Sequence, residues 1–530
     1  MVASLLKVIS SGIQDERLDF KHTLYPFTKI WIKAGRWTTQ WGRLEFDNTP
    51  TFGNTAYFRI LRKGHLVTRL FLVAQMPDIW TPQKAAQVAY DSVIPPLPSG
   101  GPYPKFGWTN SLGHALIQNL TLDIANDRVE AIDSRLLEIL DEYHTPLEKV
   151  PIVNELIKRK DHGFSETSFG WPPPGPQQTP PIGPQPYNET VVVPLPFWFT
   201  RGDFGCALPI DAITFDEVRV GIQFRALNGL YYTETNVPSN IQDDQGTSLW
   251  PLAGSNFYTT KPTNPVNPGL TPLSNSNGVI QMPLNLQLQN CYILAEYVYL
   301  DQNEANRFRL ADLQVPIVQH YAMKPFDTRG LATARIRLDV PNPTKDIYFM
   351  LNRIEAPRYN AFFLGTRDLK GTINTPPTTT QYPNIWWPDA IGLYAQSPST
   401  FLRPGFALSD SEPIQGYEVD YEGQLVRFRT QGPALFRSII PSYEQRKTPW
   451  INRYYYNFPF GIQNGFTPFS APQGEANLDK IVNRELVLNM RPIRGYVGGT
   501  VVPNYVVYVY AETYNILRVY AGRAGTMFPY

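Results

Sequence analysis

The sequence predicts an all-β protein built mainly from antiparallel sheet, and three observations carry that prediction. Period-two alternation recurs at short spacing, most clearly where Val218, Val220, Ile222 and Phe224 alternate with Glu217, Arg219, Gln223 and Arg225, the signature of a half-buried strand. Composition agrees: aromatics make up 13%, charged residues only 18%, and 50 of the 530 residues are proline; an ordinary globular chain carries about 25% charge. The pattern also restarts midway. Ala295-Glu296-Tyr297-Val298-Tyr299-Leu300 near the end of the first half resembles Val509-Tyr510-Ala511-Glu512-Thr513-Tyr514 near the end of the second, which favours two β-domains of one kind.

Taken in order, Lys29 to Lys33 alternates as a strand. Ala56, Phe58 and Ile60 alternate with Tyr57, Arg59 and Leu61, Arg62-Lys63-Gly64-His65 turns, and Leu66 to Gln75 forms the next strand. Leu120, Leu122 and Ile124 line one face of a strand, and Asn126-Asp127 supplies a turn. A helix follows, capped by Asp133 or Ser134, with an apolar stripe of Leu136, Leu137, Leu140 and Tyr143 and a stop at Pro146. A second short helix covers Val153 to Lys160. Residues 163–188 are Gly/Pro/Gln-rich and read as a long loop.

The block from Pro194 to Leu227 opens Pro-Leu-Pro-Phe-Trp-Phe, then turns through glycine into two alternating strands. Ile213 and Phe215 belong to the first of these, and at Asp216-Glu217 the phase slips by one residue, which requires a bulge or a bend. Residues 228–283 are a second long excursion. Tyr292 to Leu300 is a strand, and a helix over 301–312, opened by Asp301 with Glu304 at the capping-box position, connects the halves. Arg335 to Val340 and Asp346 to Asn352 are strands around the turn Pro341-Asn342-Pro343. Residues 371–415 form a third long loop. Loops of that length in a compact domain serve function or contact partners.

The net charge of +1 provides no overall attraction to nucleic acid or anionic membrane. Cys206 and Cys291 make neither a metal pattern nor a disulfide framework, as in proteins that fold in a reducing compartment. The apolar stretch Ala3 to Ile9 is short and interrupted by Lys7, unlike a secretory signal, and no apolar run approaches the roughly 18 residues of a membrane span.

The sequence lacks phosphate-cradling, dinucleotide-binding, His-Glu-x-x-His and Gly-x-Ser-x-Gly patterns. His22, His65, His114, His144, His162 and His320 are scattered, with no two at ligand spacing on one element. No catalytic, cofactor-binding or metal residue is assigned, and no cofactor is expected. Glu138, Asp141 and Glu142 invite an acid–base reading, but they share the side of the helix opposite the leucines and read as a solvated face. Arg201-Gly202-Asp203 matches an adhesion tripeptide and reads as a turn. Asn119-Leu120-Thr121 and Asn188-Glu189-Thr190 match the glycosylation pattern; Asn119 falls in a strand, and neither is expected to carry a conventional glycan. Ile385-Trp386-Trp387-Pro388 and Arg453-Tyr454-Tyr455-Tyr456 read as core or subunit-interface packing rather than stacking platforms for sugars or bases.

Several blocks, in one order, resemble the double jelly-roll major capsid proteins of nucleocytoplasmic large DNA viruses. They are Thr51-Phe52-Gly53 with Phe58 to Val67, where His65 replaces the Asp usual in the family's turn; Leu112-Gly113-His114-Ala115-Leu116-Ile117; Leu195-Pro196-Phe197-Trp198-Phe199 with Ala207-Leu208-Pro209-Ile210; Tyr297 to Asp301 with Glu304, Arg307 and Phe308; Asn342 to Ile347; and Tyr514 to Arg518. The resemblance implies two tandem eight-stranded antiparallel jelly rolls with long loops and a few short helices, over residues 1–311 and 312–530. It implies a structural, non-enzymatic shell protein whose homotrimers, pseudo-hexagonal in outline, tile an icosahedral capsid assembled in the host cytoplasm. Expected partners are itself, minor capsid and penton proteins, and proteins of an underlying internal membrane, with no direct nucleic-acid binding. The competing readings are a jelly-roll carbohydrate-binding protein or glycosidase using Trp386 and Trp387, and a minor, penton or scaffold double jelly-roll protein.

Overall fold

The computed structural model describes residues 36–77, 106–109, 111–159, 190–202, 204–233, 252–253, 287–354, 362–363, 365, 412–421, 425–430, 435–449, 453–462, 465, 474–494 and 500–528. Among them, the two main sheets of the first half are built from β1 (Trp37–Leu44), β2 (Thr55–Arg59), β3 (Leu66–Gln75), β4 (Ile117–Ile124), β5 (Asp127–Asp133), β6 (Thr190–Pro194), β7 (Val218–Phe224) and β8 (Gln289–Leu300), with a small extra sheet of Phe106–Trp108, Tyr231–Thr233 and Leu252–Ala253 beside them. The two main sheets of the second half are built from β9 (Leu313–Ala322), β10 (Thr333–Arg337), β11 (Thr344–Arg353), β12 (Ile414–Tyr421), β13 (Leu425–Thr430), β14 (Tyr455–Pro459), β15 (Arg484–Met490) and β16 (Tyr505–Tyr520).

The sheet orders are β1-β8-β3-β6 and β2-β7-β4-β5, then β9-β16-β11-β14 and β10-β15-β12-β13. Adding eight to each label of the first half reproduces the second. Every one of these pairings is antiparallel. In each half two sheets with this interleaved four-strand order enclose an apolar core, the double-sheet arrangement of a jelly roll rather than a closed barrel; in the second half the short strands Phe326–Asp327 and Arg523–Thr526 also pair with β16. Phe58, Leu72, Leu122, Val220, Ile222 and Ile293 lie in the first core; Ile336, Phe349, Leu488 and Val507 lie in the second.

Alternation places the side chains as the sequence predicts. Ala56 and Phe58 are buried on β2 while Tyr57 and Arg59 face out. On β7, Val218, Val220, Ile222 and Phe224 are all buried. Between β4 and β5 the turn is one residue earlier than expected. Ala125 and Asn126 both have positive φ (52° and 70°), and Asp127 already pairs with Ile124; this is the two-residue turn whose twist matches its flanking strands.

Five α-helices punctuate the described strands: α1 (Leu112–Leu116), α2 (Ser134–His144), α3 (Val150–Ile157), α4 (Gln302–Leu310) and α5 (Ile440–Glu444). Asp133 is the N-cap of α2, its Oδ1 accepting the Leu136 N–H at 2.8 Å. The expected leucine stripe is buried. Helix α3 begins three residues before the expected Val153 because Pro151 is accommodated in its first turn.

Other expectations need correction. There is no strand at Ile213 and Phe215; residues 211–217 are turns and bends, and Phe215 is 75% exposed. The phase slip at Asp216-Glu217 therefore marks a bend ahead of β7, not a junction between two strands. The strand expected over 335–340 runs instead over Thr333–Arg337, with one further bond from the Leu338 N–H to the Arg484 carbonyl at 2.9 Å. Lys29 to Lys33 and most of 163–188, 228–283 and 371–415 lie outside the described residues. Their attachment points are clear, however: they fall between β5 and β6, β7 and β8, and β11 and β12. Successive strands of each sandwich run in opposite directions, so connections leaving odd-numbered strands gather at one end. All three long connections belong to that set.

Candidate functional site

The face that distinguishes this chain from a pair of tethered domains is the seam between its sandwiches. One side is the outer face of β9-β16-β11-β14. Every residue of β11 is buried, because Ile347, Phe349 and Leu351 enter the second core while Tyr348 and Met350 join the cluster that continues into the first sandwich. The other side is built by β5, α2 and the segment between β6 and β7. Strand β16 divides its residues in the same way: Val507, Val509 and Ala511 point inward, and Tyr510, Leu517 and Val519 reach the seam.

Helix α2 is the key element. Its leucines pack into the first sandwich and its acids turn toward the second. Glu138 is fully buried. It accepts from Ser111 Oγ at 3.0 Å, meets His114 Nδ1 at 2.7 Å, and is clasped by Arg159 (2.7 Å) and, from the second sandwich, Arg453 (3.0 Å). Burial alone would raise its pKa; the Arg159 and Arg453 guanidiniums outweigh that and hold the carboxyl well below the usual range. Asp141 also pairs with Arg159 and is held low by it against the effect of burial. One turn on from Glu138, Glu142 takes Lys447 of the second sandwich at 3.0 Å. Asp133 accepts a hydrogen bond from the Tyr510 hydroxyl at 2.7 Å.

A second cluster centres on Glu512 of β16. Arg201, from the first sandwich, pairs with it at 2.6 Å, and Lys345 of β11 at 3.1 Å. A β-bulge, where Thr344 and Asp346 oppose Thr513 and Glu512, brings Lys345 to this side. Burial would raise the Glu512 carboxyl, but Lys345 and Arg201 keep it ionised far below the usual range. His320 of β9 lies 3.6 Å from Glu512 and bonds through Nδ1 to Glu130 of β5. His144, at the end of α2, is held neutral by burial and by the nearby Arg201 cation; its Nε2 is 3.4 Å from the Tyr348 hydroxyl. Gln319 Nε2 donates to the Val129 carbonyl at 2.6 Å. The arrangement is a buried set of opposite charges that fastens two sandwiches together.

This corrects the reading of Glu138, Asp141 and Glu142 as a solvated face. Glu138 and Glu142 are one turn apart with like charge, which destabilises an isolated helix. Arg135, three residues before Glu138, lies over the Tyr508 ring, and the cations that meet the pair come from elsewhere in the chain. Those cations, Arg159, Lys447 and Arg453, are far away in sequence, so nothing local could have named them. Glu130, His320, Lys345 and Glu512 were missed for the same reason.

Arg201 of the adhesion-like tripeptide is nearly buried in the ion pair with Glu512, which leaves it unsuited to external recognition; Asp203 lies outside the described residues. Asn119 is half-buried on β4, and Asn188 is outside the described residues. Tyr454, Tyr455 and Tyr456 are core residues, as expected, whereas Trp386 and Trp387 are outside the described set. Cys206 and Cys291 are unbridged, and the Cys206 thiol donates to the Pro316 carbonyl at 3.3 Å. His65, at the position where the resemblance anticipates Asp, accepts the Leu300 N–H at 2.8 Å; His22 and His162 are outside the described residues.

Comparison with known proteins places this architecture. The family model described as "Major capsid protein N-terminus" matches residues 30–301, and that of "Large eukaryotic DNA virus major capsid protein" matches residues 308–525. The major capsid protein of Rana tigrina ranavirus is 20% identical over 492 residues, covering 91% of this chain and 88% of that protein. Capsid protein 1 of Acanthamoeba polyphaga mimivirus is 20% identical over 350 residues, 66% of this chain; the match spans only 49% of that relative's length. Among solved structures, VP54 of PBCV-1 aligns with a TM-score of 0.61 at 16% identity, covering 95% of this chain and 99% of VP54. The Faustovirus major capsid protein aligns at 0.58 and 10% identity, covering 98% and 99%. At such identity the structures speak for the fold alone. The two family models take up nearly the whole length and meet at α4, where the strand pattern restarts. The chain therefore belongs to the major capsid proteins of large eukaryotic DNA viruses.

Proposed function

We propose that the chain is the repeating shell subunit of such a virus, and that three copies form a capsomer with a pseudo-sixfold outline. One observation carries this reading: two sandwiches of matching strand order pack side by side in one chain, so three chains supply six similar building blocks. The division between those blocks is drawn at 311/312, just after α4. The end that gathers the long connections would form the outer, variable surface, and the opposite end would face the particle interior.

In this reading the subunit's main partner is itself, first within the trimer and then between capsomers. Minor capsid and penton proteins, and proteins of an internal membrane, would contact the inner end, and assembly would take place in the host cytoplasm. Direct nucleic-acid contact is not part of the proposal, since the net charge is +1.

Light scattering on a sizing column tests it. A trimer is expected under assembly conditions, and a persistent monomer would overturn the capsomer reading. A mass-spectrometric inventory of purified particles tests abundance: this chain should be the dominant species, and low copy number would reassign it to a penton or minor role.

A further inference from the structure

We infer that the seam is a selective interface: the face of the first sandwich takes the face of the second and rejects another copy of itself. A chain that carries the same fold twice, among many copies of itself, needs a rule for which sandwich pairs with which.

The charges supply that rule. From the first sandwich the seam receives Glu130, Glu138, Asp141 and Glu142 against Arg159 and Arg201; from the second it receives Lys345, Lys447 and Arg453 against Asp346 and Glu512. The first face is net acidic and the second net basic. The pairs also cross in both directions. Glu138 and Glu142 reach Arg453 and Lys447 in the second sandwich, while Glu512 of the second reaches Arg201 in the first. All six side chains are less than a tenth exposed.

A mispaired partner therefore faces two penalties. Two first-sandwich faces would bring the α2 acids together without Lys447 or Arg453, and a buried charge left without its partner is strongly destabilising. Along the connecting helix α4 only Ala305 is buried and Leu310 is 88% exposed, while Phe308 and Arg309 dock on the first sandwich at Leu66, Ala207 and Asp211.

The test uses the full chain with a protease site inserted at the exposed junction of Ala311 and Asp312, purified folded and then cut. Native mass spectrometry and light scattering should find the two fragments joined one to one, in high salt as well as low, because buried pairs are poorly screened. Separation after cutting, or pairs of identical fragments, would overturn the inference. Charge exchange then separates selectivity from general stickiness. Glu142→Lys should release the fragments, and Glu142→Lys with Lys447→Glu should rejoin them; a double variant that folds but stays apart would also overturn it. If Glu142→Lys does not fold, Glu142→Gln is used and should speed fragment dissociation by about tenfold or more; an unchanged rate counts against the seam. The inference stands apart from the trimer proposal, whose failure appears as a monomer before the cut rather than separation after it.

Discussion

Glu138, in helix α2 of the first sandwich, accepts an ion pair at 3.0 Å from Arg453, which enters from the second sandwich just before β14. Neither group is more than a tenth exposed. The pair is satisfied because Ser111, His114 and Arg159 close the rest of the carboxylate's surroundings. Such a pair contributes little net stability while intact, yet losing one partner leaves the others buried and uncompensated.

Glu138→Ala should therefore lower stability by about 3–5 kcal/mol, read as a shift in the urea midpoint with the slope nearly unchanged. A shift below about 1 kcal/mol would show that the site is wetter than its burial indicates.

The same carboxylates set the response to acid. Glu138 and Glu512 have folded-state pKa values depressed by their cations, so their contribution is present above the unfolded value and is lost as pH falls through the folded one. The stability gap between the wild type and Glu138→Gln should be widest near neutrality and close only below the ordinary carboxylate range. Denaturation midpoints over a pH series measure this, and a gap independent of pH would contradict it.

Glu412 behaves in the opposite sense. Burial pushes it up to about 7 from an ordinary 4.5, against the pull of Arg437 and the Tyr456 hydroxyl. Between those values the folded state holds a proton that the unfolded state has released, so stability falls as pH rises through the window, by at most about 3 kcal/mol. Glu412→Gln retains an acceptor for Tyr456, 2.9 Å away, and should flatten this decline. Thermal melts at pH 5 and pH 7 would show it.

Gly522 closes the turn from β16 into Arg523–Thr526 with φ of +80°, where a Cβ would sit 2.0 Å from Thr214 Oγ1 and 2.7 Å from the Phe215 ring. Its carbonyl accepts the Phe215 N–H at 2.9 Å, so the turn also docks on the first sandwich. Gly522→Ala should cost about 1–3 kcal/mol. Gly525→Ala, with nothing within 4 Å of its Cβ, should change the melting temperature far less.

Much of the fold was legible because sheet patterning is local. Ala56 and Phe58, or Val218 to Phe224, reveal which face is buried through a period that needs no knowledge of the partner strand. Asp133 and the leucine stripe of α2 were readable for the same reason. The strand misread at Ile213 and Phe215 shows the limit: two alternating apolar residues resemble a short strand, but bends after Pro209 and before β7 leave that segment without a ladder.

The sequence by itself determined the class, the doubling of the β-domain, the places of α2 and α4 and the family, since each rests on periodicity, capping or ordered local blocks; α1 and α5, five residues each, are too short to show a helical period. Only the tertiary structure decided what the acids of α2 do. A helix displays one apolar and one polar face whether the polar face meets water or a second domain, and the two cases differ solely in whether distant cations arrive to meet it. Lys447 and Arg453 do arrive, as Arg201 does at Glu512, because the β9-β16-β11-β14 sheet packs its outer face against α2, β5 and the segment after β6. Burial then makes each charge depend on its partner across the seam: the intact pairs contribute little net stability, but losing one member is costly.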